Sequence, residues 1–207
     1  MGPVLLRGFV ALLRHRMLRY LLQTSGLNNG AWYAVMFLGV PLILAARGGG
    51  VAAFGSVIAS YGLTNLGANL VVGSRPPLAR PGRLILWGNI VNGAGMALIG
   101  LCAAMRGVPD WGLCLGAIIA GAGGPMNDIP RASMMQTALP KGDVAAAFRA
   151  WMVTSSAGVL VAMLVAPSLF GAVGAGWGVV VLGSAVVAGG LVGFATRADE
   201  PVQVVVA

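Results

Sequence analysis

The residues of this 207-residue chain that could do chemistry are polar side chains recurring at helical spacing inside apolar stretches. Gln23, Ser25, Asn28 and Asn29 come first, followed by Trp32 and Tyr33. Among them Ser25, Asn28, Asn29 and Trp32 fall on one helical face. Ser60, Tyr61, Thr64, Asn65 and Asn69 come next, with Tyr61, Asn65 and Asn69 spaced i, i+4. Asn89 and Asn92 form a third group, and the segment 124–131 (Gly-Pro-Met-Asn-Asp-Ile-Pro-Arg) supplies Asn127, Asp128 and Arg131. Side-chain amides in an apolar medium either bond helix to helix or line a hydrated pathway, and the two uses are compatible. Asp128 could carry a proton. Alternatively Arg131, at i+3, ties it into an ion pair or a cap.

Reaction chemistry finds little support. Hydrolysis needs a nucleophile and a base in one buried place. Ser155 and Ser156 are available, but the single histidine, His15, stands among arginines outside the apolar stretches. No second acid accompanies Asp128, no His/Cys/Glu cluster could hold a catalytic metal, and no glycine-rich phosphate cradle is present. The expectation is a protein that is not an enzyme and needs no cofactor or metal. Cys102 and Cys114 lie toward the ends of adjacent stretches; a disulfide is conceivable there, as are two small buried apolar residues.

The elements that must position these groups follow from composition. With 58% hydrophobic and 9% charged residues, the chain is too apolar for a soluble or a disordered protein. Six stretches reach the roughly 20 apolar residues that a bilayer crossing requires. They are Leu21–Ala46, Val51–Gly73, Leu84–Met105, Trp111–Gln136, Phe148–Phe170 and Trp177–Thr196. The expected fold is all-α, a polytopic membrane protein with a bundle over 21–196. Residues 1–20 form a basic amphipathic lead-in that reads as an interfacial helix, and 197–207 form a tail.

If the spans alternate, Arg7, Arg14, Arg16, Arg19, Arg75, Arg80, Arg83, Arg131, Lys141, Arg149 and Arg197 share one side, against Arg47 and Arg106 on the other. That asymmetry places both termini in the cytoplasm. The net charge of +8 is therefore no nucleic-acid footprint, and the partner it implies is the lipid bilayer. Twelve arginines against one lysine suggest a GC-rich bacterial genome and hence an inner (cell) membrane. Gly26/Gly30, Gly116/Ala120/Gly124 and Gly189/Gly193 have the spacing of close helix crossings, and Pro41, Pro125, Pro130 and Pro167 allow kinks. The sixth stretch carries only Ser184 as a polar residue before Thr196 and is expected to face lipid all round.

Three segments resemble the C-terminal six-helix half of a major facilitator superfamily transporter, in its drug and siderophore exporter branch. Residues 8–19 (GFVALLRHRMLR) look like the basic amphipathic stretch before that family's seventh helix. Residues 68–83 (ANLVVGSRPPLARPGR) resemble the loop between its eighth and ninth helices, with Arg80, Gly82 and Arg83 but without the family's aspartate. Residues 121–140 (GAGGPMNDIPRASMMQTALP) resemble its glycine-rich tenth helix and the segment that follows. The resemblance implies a 3+3 inverted-repeat half-bundle and secondary active transport, with efflux of small amphipathic molecules. Gln23, Asn28, Asn29, Trp32, Tyr33, Tyr61 and Asn65 would line the substrate cavity, and Asn127, Asp128 and Arg131 would form the inner gate or coupling site. The first and fourth spans would face the cavity while the third and sixth are peripheral. The expected partner is an N-terminal half or a second copy, besides a small-molecule substrate. A non-transporting scaffold or accessory subunit is the alternative.

Overall fold

The structure is a computed structural model that describes residues 2–76, 80–105 and 107–198. Every regular element among them is helical. Helix α1 covers Gly2–Arg14. A break at His15, whose backbone is extended (φ −104°, ψ 125°), separates it from α2, Arg16–Ala34. A π-helical turn at Val35–Gly39 joins α2 to α3, Val40–Ala46. Then follow α4 (Val51–Gly73), α5 (Pro81–Ala104), α6 (Trp111–Ala138), α7 (Lys141–Val173) and α8 (Ala175–Ala195).

The π turn has a local cause. Pro41 has no N–H and its ring crowds the carbonyl four residues back. One wider turn, closed by Val40 N–H on the Val35 carbonyl, lets the helix run on through it. The connections are shorter than the sequence suggests. Leu139 and Pro140 alone separate α6 from α7, and Gly174, at φ +83°, alone separates α7 from α8. A residue with a β-carbon would be strained at that φ.

Among the described residues five helical stretches, Arg16–Ala46, Val51–Gly73, Pro81–Ala104, Lys141–Val173 and Ala175–Ala195, are long and apolar enough to cross a membrane. The chain is a multi-pass membrane protein. The fourth expected crossing, α6, has the length but not the apolarity, because Asn127, Asp128, Arg131, Ser133 and Gln136 dilute its second half. Within the expected lead-in of 1–20, α1 ends at Arg14 and the first long helix begins at Arg16.

Glycine at seven-residue spacing organises the packing. On α5, Gly88 and Gly95 face Gly123 and Gly116 of α6. A β-carbon at Gly88 would lie 2.9 Å from the Gly123 carbonyl oxygen, and one at Gly95 would lie 2.6 Å from that of Gly116. On another face of α5, Gly93 and Gly100 meet Gly183 and Gly176 of α8, with 2.6 Å to each carbonyl oxygen. Both pairings run in opposite chain directions, so α5 is antiparallel to α6 and to α8. Lipid offers no hydrophobic drive between helices, so close backbone approach supplies the contact. Gly30 meets Gly158 on α7, and Gly121 meets the Tyr61 carbonyl on α4. The expectation that α8 faces lipid all round is thereby corrected. Its face of Gly178, Val179, Gly183, Val186, Gly190 and Gly193 is buried, because small apolar residues rather than polar ones mark the contact. By contrast Val57 is the only buried residue of α4.

The buried side chains form two apolar cores. One holds Ala31, Ala34, Val35, Met36, Val40, Ile43, Leu44, Met96, Ile99, Leu113, Ala117, Phe170 and Val179. The other, at the arginine-rich end, holds Leu12, Leu18, Leu22, Ile85, Leu86, Met134, Met135, Ala147 and Ala150. Along α2, α5 and α6 the gap between the cores is where Ser25–Asn29, Gly88–Asn92 and Gly123–Arg131 fall. The polar residues form a belt between two hydrophobic layers.

Ion pairs hold both ends. Arg47 donates to the carbonyls of Cys102 (2.6 Å) and Val108 (3.1 Å) and to Asp110 Oδ1 (3.1 Å), clasping the α3–α4 loop to the α5–α6 loop. At the opposite end Arg7 pairs with Asp143, and Arg16 donates to the Thr196 carbonyl at the C-terminus of α8. A cation there complements the negative end of the helix dipole. Arg106, on which the count of basic residues also drew, lies outside the described residues.

Candidate functional site

A cavity of about 370 Å³ occupies the polar belt. It is lined by α2 (Thr24, Ser25, Asn28, Asn29, Trp32, Tyr33), α4 (Tyr61, Asn65), α5 (Gly88, Asn89, Asn92), α6 (Gly123, Gly124, Asn127, Asp128, Arg131) and Trp151 of α7. Nine of the ten residues singled out from the sequence reach it. Gln23 does not: it is exposed on the far side of α2 and is removed from the candidate set.

Asn89 is the centre of the hydrogen bonding, and it is only 3% exposed. Its Oδ1 accepts from Asn28 Nδ2 at 2.7 Å and from Asn127 Nδ2 at 2.5 Å. Its own Nδ2 donates to the Tyr20 hydroxyl at 3.2 Å, which in turn donates to the Gly189 carbonyl at 2.9 Å. One side chain thus joins α2, α5, α6 and α8. A buried amide with all these bonds made costs little to keep, whereas one left unpaired is expensive.

The second cluster is built on α6. Arg131 Nη2 lies 2.9 Å from Asp128 Oδ1, and Nη1 donates to Asn127 Oδ1 at 3.4 Å. The guanidinium stacks on the Trp151 ring at 3.7 Å, a cation–π contact in a water-poor place. Arg131 is 13% exposed and Asp128 61% exposed, so the carboxylate sits at the mouth and the cation deep inside. Of the two uses open to Asp128, this geometry is that of an ion pair.

Asn65 and Asn92 serve the backbone. Pro125 has no N–H, which leaves the Gly121 carbonyl without its helical donor, and Asn65 Nδ2 donates to that oxygen at 3.3 Å. Asn92 Nδ2 donates to the neighbouring Ala120 carbonyl at 3.0 Å. Asn69 is exposed and bonds back to Asn65. At the other end of the cavity four rings gather, with Trp32 4.9 Å from Tyr33, 5.6 Å from Phe37 and 5.5 Å from Tyr61.

Chemically the site can hold a ligand by aromatic contact and hydrogen bonding. Asn28 Oδ1 and the N–H groups of Trp151 and Arg131 Nε are buried without a protein partner. Ser25 Oγ is spent on the Leu22 carbonyl, and His15 is not among the lining residues. Among the described residues no three His, Cys, Asp or Glu side chains gather as a metal site requires. Cys102 and Cys114 are free thiols, so the conceivable disulfide is not formed.

Asn89, Asn92 and Trp151 line the cavity without having been cavity candidates from the sequence. Asn89 and Asn92 are visible in the sequence as intramembrane amides, but they sit near the cytoplasmic end of the third span. Trp151 carried no signal, since a tryptophan in an apolar stretch is ordinary. The third span was also expected to be peripheral, yet α5 lines the cavity and packs on two neighbours. No protein-family model matches the chain, and no curated protein matches it either.

Proposed function

We propose that the chain is a six-span half-bundle of a secondary active transporter of the major facilitator type, exporting small amphipathic molecules across a bacterial inner membrane. The observation that carries this reading is the polar cavity set between two apolar cores. Amides, an acid and an arginine are costly in a lipid-embedded body and are kept where they face a pathway. Asp128, more than half exposed at the mouth, needs water or a second body over it rather than acyl chains.

Two further features support it. The antiparallel registry of α5 with both α6 and α8 is what six alternating crossings require, with α6 as the fourth. The packing partners also exchange under a three-helix repeat. If α2/α3, α4 and α5 correspond to α6, α7 and α8, then α2–α7 maps onto α6–α4 and α5–α8 onto itself, and all three pairs are in contact. Transporters of this design place substrate at the repeat interface and rock one bundle against another. The second bundle, an N-terminal half or a second copy, would cover the cavity mouth beside α4 and α7, the helices that bury least. The arginine-rich end, with both termini, faces the cytoplasm in this reading.

The bonding of Asn28 and Asn127 to Asn89 specifically favours the second reading, a membrane scaffold whose amides only hold helices together. The mass of the native particle in mild detergent separates the two. An assembly of two six-helix bodies is expected for the transporter, while a lone 20.9 kDa chain contradicts it.

A further inference from the structure

Helix α1 leaves a face that nothing in the fold covers. Its docked side is fixed by Ala11 and Leu12, both buried, and by Gly8, whose missing β-carbon makes room for the Ala146 carbonyl of α7. Arg7 reinforces that contact by pairing with Asp143. On the other side Leu6, Val10 and Leu13, at i, i+4 and i+7, are 65%, 41% and 45% exposed. Arg14 is exposed at the edge of this stripe, and Arg19 is exposed just past the His15 break.

The depth of α1 follows from α7. Its 33 residues make a rod of about 50 Å at 1.5 Å per residue, while a bilayer core is about 30 Å thick. The stretch of α7 without charged residues begins at Ala150, so the segment Lys141–Arg149 emerges on the arginine-rich side. Ala146, on which Gly8 rests, belongs to that emerging segment. This sets α1 at the level of the lipid headgroups, and the break at His15 lets it turn away from the direction of α2.

We infer that α1 is a lipid-docking helix, with Leu6, Val10 and Leu13 in the acyl layer and Arg14 and Arg19 on the headgroup phosphates of anionic phospholipid. Charge complementarity selects this occupant over a protein. The two described acids at this end, Asp128 and Asp143, are already paired with Arg131 and Arg7, and cations remain in excess. An apolar stripe bordered by arginines is the pattern of a helix lying in a membrane interface. The inference concerns a surface remote from the cavity and holds whether or not the chain transports anything.

Spin labels at Leu6→Cys, Val10→Cys, Leu13→Cys and Arg14→Cys test it, in full-length protein with Cys102→Ala and Cys114→Ala, set in phosphatidylglycerol-containing nanodiscs. Leu63→Cys, on the exposed face of α4, gives the reference for lipid. The three stripe positions should relax with dissolved oxygen severalfold more than with an aqueous nickel chelate, and position 14 should show the reverse. Replacing phosphatidylglycerol by phosphatidylcholine should shift the stripe positions toward the aqueous reagent. Access of the chelate to all four positions would overturn the inference, and so would shielding from both reagents, which means a covering protein. Immersion that ignores the lipid charge would overturn the headgroup contact. If the cysteine-free background does not fold, a benzoylphenylalanine at position 10 of the native chain replaces the labels; capture of lipid upholds the inference and capture of protein refutes it.

Discussion

The side chains of Asn89 and Asn127 meet at 2.5 Å, Nδ2 of Asn127 donating to Oδ1 of Asn89, and Asn28 shares the same acceptor. The contact ties α5 to α6 in the layer where the apolar cores stop. Asn89→Leu should therefore strand two donors and the Tyr20 hydroxyl together. The expected loss is about 1–3 kcal/mol, at the upper end of what intramembrane hydrogen bonds provide. Thermal unfolding in detergent should show it, with a smaller loss for Asn92→Leu, which breaks a single bond to a carbonyl.

Asn65 should matter only because of Pro125. In the parent chain Asn65→Leu leaves the Gly121 carbonyl without its side-chain donor and should cost about 1 kcal/mol. Pro125→Ala restores the backbone N–H, so the same change made on that background should cost close to nothing. A double-mutant cycle on unfolding free energy reads the coupling, and additive effects would contradict the compensation.

The glycine registry predicts a contrast between positions. Gly95→Ala pushes a methyl group into the α6 backbone and should destabilise by about 1–3 kcal/mol. Gly62→Ala, with nothing within 4 Å of the added carbon, should be neutral or stabilising by up to about 1 kcal/mol. Melting temperatures of the two purified variants decide it.

At the Arg47 clasp, the arginine should matter more than its acid. Arg47→Met removes the contacts to Cys102, Val108 and Asp110 together, whereas Asp110→Asn leaves the carbonyl contacts in place. Proteolysis of the two loops in inside-out and right-side-out vesicles should be faster for Arg47→Met. Equal rates for the two variants would mean that the carbonyl contacts contribute nothing.

Much of this arrangement was legible in the sequence, for physical reasons. Membrane helices are specified by apolar length, so four of the six expected stretches lie within three residues of a helix at each end. The first and fifth begin five and seven residues early because basic residues extend a helix past the apolar layer. The polar face of α2 was legible because amides at helical spacing in lipid have few uses. Gln23 shows the limit of reading polarity without angle. It lies about 200° around the helix from Ser25, so the periodicity that collects Asn28 and Asn29 excludes it. Trp151 and Asn89 become site residues only through the crossings of α7 with α2 and of α5 with α6. The α5–α6 crossing is set by glycines seven apart, a spacing less conspicuous than the four-residue pairs. The burial of α8 was hidden for the same reason, since a glycine face has no polarity to show.

The pathway reading stands on Asn28 and Asn29, which line the cavity from α2. Dye accumulation in cells making the chain, against cells making an Asn28→Leu, Asn29→Leu variant at equal membrane level, tests it most directly. The account predicts lower accumulation with the parent chain and a return to the level of empty cells with the variant. Accumulation that is the same whether or not the two asparagines are present would contradict it.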